Sequence, residues 1–294
     1  MKVAIYGQYY QNSTEPIIQD IFAFLIKNNV EIIIESNFLK ILFEKNLVLK
    51  DYPTFESHTE LDSSFDILIS IGGDGTILRA ATLVRDSGVP ILGINAGRLG
   101  FLATVQKDNI AEFLQLIIAK KYSISKRTLL SLSCLPENEA IKDLNFAINE
   151  ISVSRKETTS MITIETYLNN EYLNSYWADG LIIATPTGST GYSMSCGGPI
   201  LTPNVQSFVI TPIAPHNLNA RPLVVTDETE IRLKVSGRDD HYLVSLDSRL
   251  FSVNNDTILC IKKSPFEINM VEIPDATFLK TLRNKLFWGE DRRN

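Results

Sequence analysis

The stretch Ile71-Gly72-Gly73-Asp74-Gly75-Thr76 constrains this chain more than any other. It follows an apolar run, Phe65-Asp66-Ile67-Leu68-Ile69-Ser70, that reads as a buried strand, and it precedes residues 76–84, which read as a helix. Glycine lets a backbone turn sharply and lets a ligand approach closely. A helix start offers unpaired N–H groups to anions such as phosphate. Asp74 then stands where phosphates would bind, in the place of a base or a metal-binding carboxylate. Such a turn suits phosphoryl transfer; a plain glycine turn joining strand to helix is the other reading of the same residues. Two familiar nucleotide signatures are missing. The chain has no P-loop pattern, and no Gly-x-Gly-x-x-Gly follows its first strand.

The surrounding pattern predicts an α/β layer. Residues 2–6, 31–34, 66–71 and 90–94 read as short apolar strands. Residues 16–27 carry Ile17, Ile21, Phe24 and Leu25 at helical spacing, with Pro16 in the first turn. Asp108 is placed as the N-cap of a helix running to residue 120, with Ile110, Phe113, Leu114 and Ile117 on one face. Alternating strands and helices imply a Rossmann-like domain with a mostly parallel sheet over residues 1–125. Ligands of such sheets bind beyond the carboxyl ends of the strands, where the glycine turn sits.

From about residue 126 the character changes. Residues 129–134, 146–154, 161–168, 180–184, 208–212, 223–225, 230–235, 242–246 and 257–262 are short and β-branched, with turn signals between them. They predict an all-β, sandwich-like domain over 126–275. Residues 276–287 read as a helix within a C-terminal segment, 276–294.

Composition excludes several classes. Net charge is −6, and no basic tract marks a nucleic-acid partner. No apolar run approaches the roughly 18 residues of a membrane helix, and the N-terminal apolar run is too short for a signal peptide. Cys134, Cys196 and Cys260 are far apart, which suggests reduced thiols in the cytoplasm and neither a disulfide framework nor a zinc site.

The densest stretch in the chain runs from Ala178-Asp179-Gly180 through Thr185-Pro186-Thr187-Gly188-Ser189-Thr190-Gly191-Tyr192-Ser193. A carboxylate opens it, a short strand follows, and then come glycines, small hydroxyls and one aromatic ring. These groups suit a nucleotide's phosphates, ribose and base. A Ser/Thr/Gly-rich turn between strands is the alternative.

Taken together, the chain resembles the NAD kinase family. The resemblance rests on Gly72 to Thr76, Asn95-Ala96-Gly97-Arg98-Leu99-Gly100-Phe101-Leu102, Asn149-Glu150, Ala178-Asp179-Gly180 through Gly197-Gly198-Pro199-Ile200, and Ala214-Pro215-His216 with Arg221-Pro222. It implies phosphorylation of the 2′-hydroxyl on the adenosine ribose of NAD, with ATP as donor; polyphosphate as a further donor is left open. Asp74 resembles the base or orienting carboxylate for the ribose 2′-hydroxyl, and Gly72, Gly73, Gly75 and Thr76 the phosphate loop. Asn149 and Glu150 resemble the pair that binds ribose hydroxyls, and Asp179 a further NAD contact. Thr190, Tyr192 and Ser195, with Gly191, Ser193 and Met194 of the same run, resemble the adenine and ribose pocket, Tyr192 by stacking. Asp247 lies in Leu246-Asp247-Ser248-Arg249, close to an Asp-Ser motif of the family. Arg79, one turn beyond the loop, is read either as a phosphate clamp or as a solvated helix residue; His216 is read as structural. Gly191 replaces a frequent alanine, and Trp177 stands where a polar or basic residue is frequent.

The chemistry agrees with that implication. A hydroxyl nucleophile needs a carboxylate within hydrogen-bond reach to accept its proton. Spread phosphoryl charge calls for a divalent metal, and magnesium suits a site of carboxylates and phosphates. The resemblance further implies a homodimer or homotetramer. Lipid kinases and phosphofructokinases share the glycine loop but lack the Asn149-Glu150 pair and the stretch from Asp179 to Tyr192. A catalytically silent NAD(P)-binding regulator would be favoured had Asp74 been replaced.

Overall fold

The computed structural model describes residues 1–9, 14–97, 100–103, 105, 107, 110–156, 160–272 and 277–288. The chain divides into two units, residues 1–126 with 268–294, and residues 127–267.

In the first unit, β1 (Lys2–Gly7), α1 (Thr14–Lys27), β2 (Glu31–Glu35), α2 (Ser36–Glu44), β3 (Thr54–Phe55), β4 (Ile67–Gly72), α3 (Asp74–Val84), β5 (Ile91–Asn95) and α4 (Ile110–Ile118) succeed one another. Among the described residues the sheet has seven strands, ordered β3-β2-β1-β4-β5, then Ile268–Glu272 and Ser123–Arg127. β1 pairs in parallel with both β2 and β4, and β4 with β5. A parallel sheet covered on both faces needs continuous apolar strands, and every residue of β4 and β5 is buried. Val3, Ile5, Ile69 and Ile71 share a core with Ile17, Ile21 and Leu25 of α1 and with Ile110, Leu114 and Ile117 of α4. The strand order reverses between β1 and β4. At such a switch point the loops after the two strands diverge and leave a crevice.

Several expectations are corrected here. The boundary at residue 275 falls too late. Strand Ile268–Glu272 pairs in parallel with β5, Met270 opposite Ile91, and so belongs to the first unit. Its Ile268, Met270 and Val271 are buried, which a strand of the sandwich edge would not require. Helix α2 lies where the sequence reading names no element. Its start is fixed by Glu35, whose carboxylate accepts from Phe38 N at 2.8 Å. Asp108, read as the cap of α4, and Ala276, read as the start of the last helix, lie outside the described residues. The last helix runs Phe278–Leu286, capped by Thr277.

Among the described residues the second unit is a β-sandwich of two six-stranded sheets. One is ordered Glu171–Ala178, Ile162–Leu168, Ile231–Ser236, Ile258–Lys263, Leu130–Leu135 and Phe146–Ala147. The other is ordered Leu223–Thr226, Ser207–Ile213, Gly180–Ala184, Glu150–Arg155, His241–Leu246 and Arg249–Asn254. Leu132, Ile164, Leu233 and Leu259 of the first sheet pack in one cluster with Ile151, Val153, Leu181, Ile183, Phe208 and Val244 of the second. Burying each such side chain is worth about 1.5–3 kcal/mol. Strands Glu171–Ala178 and Arg249–Asn254, which no apolar run announced, are edge strands. An edge strand packs fewer neighbours and carries more polar residues.

Candidate active site

Residues of the first unit build the glycine turn. Gly72 ends β4 with φ +155°, and a Cβ there would fall 2.2 Å from Thr76 Oγ1. Only glycine lets the turn close so tightly over its own helix. Gly73 and Gly75 have open space where a side chain would stand. Asp74 is the first residue of α3. Its carboxylate is pinned by the segment after β5: Oδ2 accepts from Phe101 N at 2.8 Å, and Oδ1 accepts from Leu102 N and Ala103 N, both at 3.0 Å. A Cβ on Gly100 would lie 1.8 Å from Asp74 Oδ1. Gly100 is thus a condition of Asp74's orientation, which the motif alone did not disclose. Arg98 and Leu99 of the same motif lie outside the described residues. Arg79 is exposed, one turn further along α3.

Residues of the second unit build a second constellation. The expected strand 146–154 is broken: Phe146–Ala147 and Glu150–Arg155 lie in different sheets. The break is where Asp247 sits. Its carboxylate accepts from the backbone N–H groups of Ile148 at 3.0 Å, Asn149 at 2.8 Å and Glu150 at 3.2 Å. Asp247 is in the tight turn between Leu246 and Arg249, with φ +52°, and its own N–H donates to Glu150 O. Asp247 therefore shapes the Asn149-Glu150 corner. Arg249 donates to the carbonyls of Leu144 and Phe146 from the other side.

The run after strand Gly180–Ala184 closes on that corner. Thr185 is fully buried; its N–H donates to Asn149 O at 2.9 Å and its hydroxyl to Ile148 O. A Cβ on Gly188 would fall 2.0 Å from Asn149 O, and one on Gly191 would fall 2.9 Å from Glu150 Oε2. The backbone N–H of Tyr192 donates to the Glu150 carboxylate. Burial, and after it the charge of Asp247, pushes the Glu150 carboxyl up to about 8. Its buried Oε2 has no hydrogen-bond partner. A half-buried acid with an unpartnered oxygen and a displaced pKa marks a candidate site more than a core position.

The other expected residues divide. Tyr192, 45 % exposed, and Ser195 face solvent. Met194 is half-buried, and Thr190 spends its hydroxyl proton on Thr187 O at 3.1 Å. Ser193 turns inward, fully buried, with its hydroxyl 2.8 Å from Thr211 Oγ1, so its side chain anchors the run. Asp179 is ion-paired with Arg155 at 3.0 Å, a partner nothing in the sequence reading named. The Trp177 and His216 rings pack together, tilted 50° to one another with centroids 4.4 Å apart, and His216 N donates to Trp177 O. Among the described residues no group of three or more His, Cys, Asp or Glu could hold a metal ion.

A doubly wound unit with a glycine-rich turn at a helix start, and a β-sandwich that presents an acid with an unpartnered oxygen and an exposed aromatic ring, suit a nucleotide-handling phosphotransferase. Comparison with known proteins narrows the class. The family described as ATP-NAD kinase N-terminal domain matches residues 3–122, and the ATP-NAD kinase C-terminal domain matches residues 148–273. The chain belongs to the NAD kinase family. It is 73% identical over 294 residues to an NAD kinase of Flavobacterium johnsoniae, covering 100% of both chains. It is 40% identical to an NAD kinase of Bacteroides fragilis over the same share of each. An NAD kinase from Archaeoglobus fulgidus, solved in complex with ATP, has 27% identity and a TM-score of 0.74 and aligns over 98% of each chain. Yeast NADH kinase complexed with NADH shares the fold, with a TM-score of 0.88 at 22% identity, over 100% of this chain and 89% of its own.

Proposed function

We propose that this protein is an NAD kinase that transfers a phosphoryl group from ATP to the 2′-hydroxyl on the adenosine ribose of NAD. The observation that carries the reading is Asp74: a carboxylate held in one orientation by three backbone N–H groups, beside glycines that leave open space. Oδ2 carries a single one of these bonds and so keeps a lone pair for the proton of the attacking hydroxyl. The N–H groups at the start of α3 and the bare backbone of Gly73 and Gly75 receive the phosphates. Arg79 adds charge on the same helix.

In the second unit, Asn149 and Glu150 take the ribose hydroxyls. Glu150, protonated at neutral pH, both donates and accepts there. Tyr192 stacks on adenine, Thr190, Gly191, Met194 and Ser195 line that pocket, and Asp179, held by Arg155, adds a contact. Asp247 acts on NAD through the corner it shapes. Magnesium fits this donor set. Asp74 would hold the ion beside the donor's phosphates, where it would neutralise the charge of the migrating group.

The protein works in the cytoplasm as a homodimer or homotetramer. Its three cysteines are free thiols, and no described helix is long and apolar enough to cross a membrane. Tyr172 and Trp177 stand half exposed on the edge strand Glu171–Ala178, in keeping with a partner there. Purified protein with NAD, ATP and magnesium should form NADP, read by an NADP-specific dehydrogenase. No NADP formed would end the proposal.

A further inference from the structure

The first unit holds a cavity of about 650 Å³ at the carboxyl ends of β1 and β2, and the roles given above use only its rim, at Arg79. Its walls include Gly7, Gln8, Glu35, Asn37, Ile41 and Arg79. Cavities of roughly 300–1,000 Å³ take small organic ligands, so a nucleoside fits. Three observations join it to the phosphate loop. Gly7 and Gln8 follow β1 directly across from the end of β4, with Gln8 N donating to Ile71 O at 3.0 Å. Thr76 Oγ1, in the first turn of α3, donates to Gln8 Oε1 at 3.3 Å. Arg79 stands on α3 one turn beyond the loop and is itself part of the cavity wall. The cavity and the loop are thus two ends of one crevice at the switch point of the sheet.

The chemistry of the far end is specific. Glu35 is the last residue of β2 and is 7% exposed. Its Oε1 accepts from Asn37 Nδ2 at 2.9 Å and its Oε2 from Phe38 N at 2.8 Å. Each oxygen keeps a second lone pair. In dinucleotide-binding sheets of this kind an acidic residue in this place takes the ribose hydroxyls of a ligand whose phosphates lie at the end of the first strand, where Gly7 and Gln8 stand here. Ile41, half-buried, adds an apolar wall for a flat base.

We infer that this cavity holds the adenosine of the phosphoryl donor. Its ribose sits on Glu35, and its phosphates run past Gln8 and Arg79 to the open turn at Gly73–Gly75. The inference rests on the proposed function in taking ATP as the donor. It adds that donor and acceptor adenosines occupy separate pockets, the donor's in the first unit and the acceptor's on residues of the second.

Asn37→Trp tests it, because Asn37 is exposed at the mouth and a larger ring there fills the cavity. Calorimetry with the non-hydrolysable imido analogue of ATP, magnesium and saturating NAD should show binding weakened at least tenfold. NAD alone should bind within twofold of wild type. Wild type should prefer ATP to 2′-deoxy-ATP, and Glu35→Gln, which keeps an acceptor for Phe38 N, should erase that preference. Unchanged analogue affinity in a folded Asn37→Trp protein overturns the inference. Equal weakening toward NAD and the analogue also overturns it, since the cavity would then serve the acceptor. If wild type makes no NADP, the kinase reading fails by itself, and the titration still reports on the cavity.

Discussion

Replacing Glu150 by glutamine should change how the stability of the ligand-free protein depends on pH. The folded carboxyl titrates near 8 against an ordinary 4.5, because burial and the Asp247 charge disfavour its ionised form. Between those values the folded state holds a proton that the unfolded chain has released. Stability from this group is therefore complete below about pH 4.5 and is lost as pH rises through 8. A gap of about three and a half pH units, at about 1.36 kcal/mol each, is worth about 5 kcal/mol in full, of which about 4 falls between pH 5 and pH 9. Glutamine matches the neutral acid in shape and cannot ionise. Denaturant unfolding of wild type and Glu150→Gln at pH 5, 7 and 9, without nucleotide, isolates the group as the difference between the two profiles. The variant should gain on wild type steadily, by on the order of 4 kcal/mol at pH 9. Parallel profiles would show that Glu150 is ionised in the folded protein, and the argument from its buried, unpartnered oxygen would collapse. In kinetics the same variant should raise KM for NAD about tenfold, as loss of a hydroxyl's partner costs about 1–3 kcal/mol, and leave KM for ATP nearly unchanged.

Asp74→Asn should lower kcat by about 10²–10⁴-fold and leave NAD affinity within a few-fold; more than a tenth of wild-type kcat would rule Asp74 out as base. Gly100→Ala should reach a comparable loss with Asp74 intact, because the new methyl displaces its carboxylate, and a displacement of about 1 Å costs roughly 10² in rate; wild-type kcat would refute that coupling. Tyr192→Ala should raise KM for NAD at least about tenfold, in line with a stack of about 1–3 kcal/mol, and hardly move Tm since the ring is half exposed, whereas Tyr192→Phe should be near normal. A large KM defect in Tyr192→Phe would transfer the contact to the hydroxyl. Sedimentation at micromolar protein should show a dimer or tetramer; a 33.0 kDa species would refute the assembly.

What the sequence determined by itself was whatever depends on neighbours along the chain. Continuous apolar runs such as 67–71 and 91–94 have no soluble home except a sheet covered on both faces, so the parallel layer was legible. Glycines around Asp74 at a strand–helix junction declared a tight turn because glycine geometry is local. Short β-branched runs declared the sandwich for the same reason. The rest required contacts across long stretches of chain. Residues 146–154 read as a single strand, since nothing nearby shows that Asp247, 98 residues from Asn149, draws off their N–H groups. Residues 268–272 fell inside the range expected for the β-rich half with no element named there, and only the pairing of Ile268–Glu272 with β5 places that strand in the first sheet. The dependence of Asp74 on Gly100, the pairing of Asp179 with Arg155 and the displaced pKa of Glu150 belong to the same class. Local propensity sets which backbone a segment prefers. Which buried polar groups meet, and how far each is pushed from its behaviour in water, is decided by tertiary packing, because desolvation and charge proximity exist only once distant segments have come together.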